Sequence, residues 1–257
     1  MSVVPKKSLG QHFLVDENIL GVIGRLADLR ADDVVLEVGP GLGVLTRYLA
    51  DRVRLVHAIE LDRSLEGPLV EALARRDNVR LTFGDALELD LGALDPAPGK
   101  LVANLPYNVA TPLVVESLER VPSLERWCVM VQREAADRFF AAPRTKAYGA
   151  VSVLVQLRAT KVGFHPVSPT VFRPRPKVES ALVAFVRSGT APSVAVRPVV
   201  EAAFAHRRKT LANSMALSGL ATRAEAEDAL ARIGKAPAAR AEELVPEEFV
   251  ALAHALA

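Results

Sequence analysis

The apolar positions of the chain follow two periods, and the changes between them mark its elements. From Asp16 to Leu26 they recur at helical spacing (Ile19, Leu20, Val22, Ile23, Leu26), with Asp16 placed to cap. Residues 34–38 form a short apolar run ended by glycines, which predicts a buried strand, and residues 44–49 open a helix. The alternation continues with strands over 55–60, 79–83, 100–103 and 127–132 and helices over 66–75, 112–120 and 133–140. Residues 148–158 fit either period and are read as helix, and 181–186 alternate as a terminal strand. Strand and helix in alternation predict an α/β fold, a parallel sheet covered by helices on both faces. Residues 188–198 are rich in Ser, Gly, Pro and Ala and read as a linker. The C-terminal stretch, residues 199–257, is helical throughout and too short for a large core. The organisation expected is therefore a domain over 1–187, a linker over 188–198 and a small all-helical domain over 199–257. Residues 1–15 read as an extended basic arm.

Composition narrows the class. Half of the 257 residues are hydrophobic and the net charge is only +2, which excludes disorder. Cys128 is the only cysteine, so no intrachain disulfide exists. No apolar run approaches the ~20 residues of a membrane helix, and residues 1–13 have no apolar signal core. A soluble, cytoplasmic, monomeric protein is expected. No His/Cys/Asp cluster has metal-ligand spacing, so no metal is expected.

Charge is unevenly spread. Residues 120–210 carry 16 Lys/Arg against 5 Asp/Glu, a net of +11, and the remainder carries a net of −9. A basic segment on a near-neutral chain is the footprint expected for a polyanion partner. Two tight clusters stand out: Arg173, Arg175 and Lys177, then Arg207, Arg208 and Lys209.

The candidate chemistry lies at strand ends. Glu37-Val38-Gly39-Pro40-Gly41-Leu42-Gly43 joins a strand to a helix, a turn shared by nicotinamide, flavin and S-adenosylmethionine binders. Glu60 ends the next strand, placed to accept from ribose hydroxyls, and Asp85 follows the third, placed to accept from an adenine amine. The spacing G-x-G-x-G, stiffened by Pro40, suits a cofactor without a pyrophosphate, and S-adenosylmethionine fits best.

Asn104-Leu105-Pro106-Tyr107 ends the following strand on the same rim. The tetrapeptide resembles the signature of methyltransferases that act on the exocyclic amine of adenine. That amine is a poor nucleophile because its lone pair is delocalised into the ring. Two acceptors, the Asn104 side-chain oxygen and a backbone carbonyl near Leu105, favour a pyramidal nitrogen with its lone pair turned outward. Pro106 fixes the backbone, and Tyr107 offers a ring to stack on the base.

Five stretches then carry a wider resemblance: residues 10–14 (G-Q-H-F-L), 37–46, 104–112 (N-L-P-Y-N-V-A-T-P), 171–180 (V-F-R-P-R-P-K-V-E-S) and 203–214 (A-F-A-H-R-R-K-T-L-A-N-S). Together they resemble the ribosomal RNA adenine dimethyltransferase family. The resemblance implies a Rossmann-like S-adenosylmethionine-dependent methyltransferase fold with a small C-terminal all-helical domain. It implies dimethylation of two adjacent adenosines near the 3′ end of small-subunit (16S) rRNA, within a partly assembled 30S particle during ribosome biogenesis. It assigns cofactor contacts to His12, Leu14, Gly39, Glu60, Asp85 and Asn104, with His12 standing where the family usually has Asn. It makes Phe172 the ring opposite Tyr107 around a flipped adenine, and it gives RNA contacts to Arg173, Arg175, Lys177 and to Arg207, Arg208 and Lys209, the last three opening the helical domain. Gln132, Arg133, Trp127, Cys128 and residues 148–155 are assigned structural roles.

Three other readings stand beside this one. A large-subunit rRNA methyltransferase of the macrolide-resistance type shares the turn and a similar tetrapeptide; Leu105, Thr111-Pro112 and residues 203–214 favour the small-subunit enzyme. An RNA-binding assembly factor without chemistry would not need intact Glu60, Asp85 and Asn104–Tyr107. A nicotinamide enzyme would need a hydride-transfer constellation that the sequence lacks.

Overall fold

The computed structural model describes residues 5–6, 10–188 and 193–257. In chain order its elements are β1 (Phe13–Leu14), α1 (Glu17–Ala27), β2 (Val34–Val38), α2 (Val44–Ala50), β3 (Leu55–Glu60), α3 (Glu66–Leu73), β4 (Val79–Phe83) and β5 (Lys100–Asn104). They continue with α4 (Ala110–Arg120), β6 (Arg126–Gln132), α5 (Arg133–Phe139), α6 (Ala150–Gln156), β7 (Ala159–Val167), β8 (Phe172–Arg173) and β9 (Ser180–Arg187). Four helices close the chain: α7 (Val196–Phe204), α8 (Leu211–Leu217), α9 (Arg223–Arg232) and α10 (Pro246–Leu256). No helix among the described residues is long and apolar enough to cross a membrane.

Seven strands form one sheet in the order β4-β3-β2-β5-β6-β9-β7. The pairs β4–β3, β3–β2, β2–β5 and β5–β6 are parallel, and β9 runs antiparallel to β6. The order reverses between β2 and β5, and the crevice beyond the strand ends at such a point is where open α/β sheets bind ligands. α1 shows why the helices cover the sheet: Asp16 accepts from the Asn18 N–H at 2.8 Å, and Ile19, Leu20, Ile23 and Ala27 form one buried stripe.

Three features depart from the sequence pattern. β7 is an edge strand whose sequence, A-T-K-V-G-F-H-P-V, is largely exposed and carries Gly and Pro, so no buried run announces it. β1 and β8 pair as a small antiparallel ribbon, Phe13 opposite Arg173 and Leu14 opposite Phe172. Part of the expected basic arm thus becomes a strand; residues 1–4 and 7–9 of it lie outside the described residues.

The chain divides into two compact units, residues 1–136 with 160–187, and residues 137–159 with 188–257. Residues 137–159, read from sequence as part of the first domain, pack with the C-terminal helices. The Tyr148 hydroxyl donates to the Leu244 carbonyl at 2.7 Å, and Phe204 stands between the rings of Tyr148 and Phe249. The stretch read as a linker over 188–198 is shorter than expected, because α7 already begins at Val196; residues 189–192 lie outside the described residues.

One arginine closes the end of α4. The Arg187 guanidinium donates to the carbonyls of Leu124 at 2.7 Å and of Leu118 and Val121 at 3.0 Å, beneath the Trp127 ring. These include carbonyls that a helix C-terminus leaves without partners. Arg187→Ala is expected to destabilise the fold by about 2–4 kcal/mol, since it orphans several acceptors at once. Denaturant unfolding measures it, and Arg187→Lys, which lacks the planar fork, is expected to recover only part of the loss.

β2 is buried along its whole length, Glu37 included. Glu37 Oε2 has no hydrogen-bond partner among the described residues. Burial pushes its carboxyl up to about 8, with the Thr46 hydroxyl opposing from outside hydrogen-bond geometry and the Glu60 charge adding to the rise. The folded chain therefore holds a proton that the unfolded chain releases near the ordinary value of 4.5. Stability from this group falls as pH rises from that value toward about 8. The Tm of Glu37→Gln minus that of wild type is expected to grow over that interval and then level off; a difference independent of pH would mean that Glu37 is ionised in the fold.

Candidate active site

A pocket opens at the carboxyl ends of β2, β3, β4 and β5, and all its lining residues belong to the first unit. The turn after β2 contributes Gly39 to Leu42, the end of β3 Glu60 and Leu61, the loop after β4 Asp85 to Leu87, and the loop after β5 Asn104 to Val109. His12, Leu14, Gly39, Glu60, Asp85 and Asn104, the six predicted cofactor residues, all line it, as do Leu105, Pro106 and Tyr107.

The glycine turn is built from the inside. Gly39, Gly41 and Gly43 all have φ between 60° and 75°, where an L side chain is strained. A Cβ on Gly39 would stand 3.1 Å from the Pro106 ring, and one on Gly41 2.9 Å from the Phe13 ring. The turn is therefore closed against the tetrapeptide on one side and the N-terminal segment on the other. Its amides are committed: Gly39 N–H donates to the Ile59 carbonyl at 2.9 Å, Gly41 N–H to Glu60 Oε2 at 3.0 Å, and Gly43 N–H to the Pro40 carbonyl at 2.9 Å. A phosphate-binding turn keeps such amides for its ligand; the three glycine amides of this one are bonded within the protein.

Electrostatics agree. Glu37, Glu60 and Asp85 line the pocket, and no Lys or Arg does among the described residues. Glu60 accepts from Gly41 and, through Oε1, from the Asp62 N–H at 2.9 Å. Burial raises its carboxyl above the ordinary value, and those backbone donors oppose the rise. Asp85 Oδ1 accepts from the Leu87 N–H at 2.8 Å, and Oδ2 has no protein partner among the described residues. An acceptor-rich wall without a cation disfavours a pyrophosphate and suits a ligand with hydroxyls, an amine and a positive charge.

Asn104 is oriented by the N-terminal segment. Its Nδ2 donates to the His12 carbonyl at 3.1 Å, which leaves Oδ1 as an uncommitted acceptor. Leu105 N–H donates to the Met130 carbonyl at 3.0 Å, extending the sheet into the loop. The Pro106 carbonyl accepts from Val109 and Ala110 at 3.1 and 3.0 Å. The Leu105 carbonyl takes no hydrogen bond among the described residues. Tyr107 meets the His12 ring at 5.4 Å between centroids, and its hydroxyl is 2.6 Å from Ser180 Oγ.

Sequence reasoning missed the clamp that holds the N-terminal segment here. Asp62 is buried and accepts from Lys6 Nζ at 2.6 Å, Gln11 Nε2 at 2.8 Å and Ser64 Oγ at 2.6 Å. Burial alone would raise its carboxyl, but Lys6, Ser64 and Gln11 outweigh it and hold it well below the usual carboxylate range. Only the Ser64 contact is local in sequence, so no spacing could have shown this cluster.

Two expectations need correction. Phe172 is fully buried in the core, beside Leu14 across the β1–β8 ribbon, and does not line the pocket. Its ring joins the core cluster that contains Leu14 and Val171, and the ring paired with Tyr107 is that of His12. Arg207, Arg208 and Lys209 do not open the helical domain; they follow α7, in the turn before α8. Arg207 Nη2 donates to the Tyr148 carbonyl at 2.9 Å and the Lys146 carbonyl at 3.3 Å, while the residue remains exposed. Arg208 and Lys209 are exposed. Arg173, Arg175 and Lys177 are exposed as well, and His12 Nδ1–H donates to the Pro174 carbonyl within their strip at 2.6 Å.

Comparison with known proteins agrees with this geometry. Residues 4–257 match the family described as ribosomal RNA adenine dimethylase. A ribosomal RNA small subunit methyltransferase A of Rubrobacter xylanophilus is 52% identical over 96% of this chain and 94% of its own. One from Moorella thermoacetica is 43% identical over 99% and 93%. Among solved structures, a dimethyladenosine transferase from Plasmodium falciparum superposes with a TM-score of 0.78 at 23% identity, covering 94% of this chain and 96% of that one, a likeness of fold. The 23S rRNA methyltransferase ErmE gives a TM-score of 0.67 at 30% identity over 95% and 99%. With its Rossmann-like sheet and this rim of strand ends, the chain belongs to the ribosomal RNA adenine dimethylase family.

Proposed function

We propose that the chain transfers methyl groups from S-adenosylmethionine to the exocyclic amines of two adjacent adenosines near the 3′ end of small-subunit rRNA. One observation carries the choice of donor: the pocket has three carboxyl groups, of which Glu37 keeps its proton up to about 8, no cation among its described lining residues and a turn whose three glycine amides are already bonded. That combination disfavours the nicotinamide and flavin dinucleotides that the turn alone would admit. It fits S-adenosylmethionine: Glu60 and Asp85 would hold its ribose and adenine, and Glu37, His12 and Gly39 border the rest of the pocket. When bound, the cofactor supplies an electrophilic sulfonium methyl group.

The chain's own task is to place the amine. Asn104 Oδ1 and the Leu105 carbonyl accept its two hydrogens and favour a lone pair aimed at the donor. No strong base is required before attack, because the methylated amine carries a positive charge and gives up its proton readily. Tyr107 supports the base from one face. The exposed strip of Arg173, Arg175 and Lys177 and the exposed pair Arg208 and Lys209 serve the phosphates.

Small-subunit rRNA is favoured over the large subunit by the degree of likeness: relatives named for the small subunit stand at 42–52% identity, against 30% for the 23S enzyme. Leu105, Thr111-Pro112 and residues 203–214 point the same way. The assay is incubation with each ribosomal subunit and labelled donor; label in the large subunit alone would refute the assignment.

Asn104→Ala is expected to lower methyl transfer by at least about 100-fold while donor affinity changes only a few fold, because the acceptor acts on the reacting amine. Single-turnover kinetics with calorimetric titration separates the two. Replacing Arg208 and Lys209 together by Ala is expected to flatten the dependence of log affinity for RNA on log salt by roughly 1–2, since about that many counterions are no longer released. An unchanged slope would show that the pair faces away from RNA.

A further inference from the structure

Ser180 opens β9, opposite Gln132 at the end of β6, and is fully buried. Its hydroxyl lies 2.6 Å from that of Tyr107, a residue far away in sequence that lines the pocket. A serine in a strand is a poor choice for packing, and here the neighbours Ala181, Leu182 and Val183 are all apolar. Nothing in the core calls for a hydroxyl at this place. The Tyr107 ring, by contrast, needs one: it projects from a loop with the His12 ring 5.4 Å away, and a half-buried phenol without a partner would turn outward toward water.

We propose that Ser180 is a positioning residue for methyl transfer, its hydroxyl holding the Tyr107 ring in the orientation that receives the target base. The inference rests on the reading of the pocket as an adenine-methylating site. It assigns Ser180 no contact with substrate. The loop is otherwise fixed at its base, by the Leu105 bond to Met130 and the Pro106 bonds to Val109 and Ala110. Those bonds set the backbone and leave the ring free to turn; Ser180 removes that freedom. The same serine is three residues beyond Lys177. The segment between them is pinned by the Arg133 N–H, which donates to the Glu179 carbonyl at 2.9 Å. The strip that meets phosphate and the ring that meets the base are thus held in one frame.

The arrangement predicts a split in kinetics. Phosphate contacts govern how tightly RNA binds, whereas the ring governs what share of bound RNA has its base in the pocket. Loosening the ring lowers kcat and spares KM. The full chain is assayed on small-subunit rRNA with labelled donor, as wild type, Ser180→Ala, Tyr107→Phe, the double variant and Ser180→Thr. Loss of one hydrogen bond predicts a fall in kcat of about five-fold for Ser180→Ala, with the KM for RNA and the donor Kd held within about two-fold. Tyr107→Phe is expected to match it, the double variant to be no worse than either, and Ser180→Thr to regain turnover. RNA with 2-aminopurine at the target position reports stacking directly, and its quenching is expected to weaken in Ser180→Ala.

Wild-type turnover in Ser180→Ala, or effects that multiply in the double variant, would overturn the inference. So would a loss shared with donor affinity. If Ser180→Ala does not fold, Tyr107→Phe decides alone, because it deletes the same bond from the pocket side; full turnover there overturns the proposal and a five-fold loss with unchanged KM supports it. A wild-type chain that labels no adenosine in small-subunit rRNA would take the functional reading down together with this one. An active wild type indifferent to Ser180 would sink the inference alone.

Discussion

The bond from the Asn104 amide to the His12 carbonyl fixes which end of that side chain is free at the pocket. An asparagine at a strand end can turn either its donor or its acceptor toward a ligand. With Nδ2 committed to a carbonyl, the acceptor is what remains, and an acceptor is what an amine needs. The constraint comes from the N-terminal segment, far from Asn104 in the chain. That segment is fixed in turn by the ribbon with β8, by the His12 side chain on Pro174 and by Lys6 and Gln11 on Asp62. The orientation of Asn104 thus depends on a clamp at the pocket's edge. The clamp includes one buried carboxylate with several donors, the satisfied kind of buried charge that can hold a segment in register.

The same dependence explains what could be read in the sequence. Elements whose identity is local were legible: the buried strands β2, β3 and β5, the amphipathic α1 with its Asp16 cap, and the residues that end each strand on the rim. Gly39, Glu60, Asp85 and Asn104 meet in one pocket because a parallel sheet places the ends of neighbouring strands side by side, and alternation of strand and helix is enough to predict that. What was not legible is whatever depends on partners distant in the chain. β1 and β8 are two residues each, too short for any period. β7 lacks a buried face. Asp62 reads as an ordinary acidic residue until Lys6 and Gln11 are brought to it. Phe172 shows the opposite error: its motif was right and its surroundings were not, since the ribbon with Leu14 turns that ring into the core. Arg207 reads as one member of a basic trio, and its bonds to the carbonyls of Lys146 and Tyr148 come from partners that no spacing could show.

Charge is divided between the pocket and its surroundings, and the division is itself a mode of recognition. The pocket has carboxyl groups and no cation among the described residues that line it, while the strip beginning one strand-pair away carries Arg173, Arg175 and Lys177 in the open. A nucleic acid approaching this surface meets attraction for its phosphates only outside the pocket. Under the proposed function its sugar–phosphate chain is drawn to the strip, and the Glu60 and Asp85 carboxyl groups resist any attempt to follow the base inward. The uncharged base is the one part of a nucleotide that both regions permit at the rim. The cationic donor proposed here would meet the opposite pattern and be drawn inward. Under the proposed function, one sheet edge would sort two ligands by charge before any base-specific contact is made, and the geometry at Asn104 would act on what that sorting delivers.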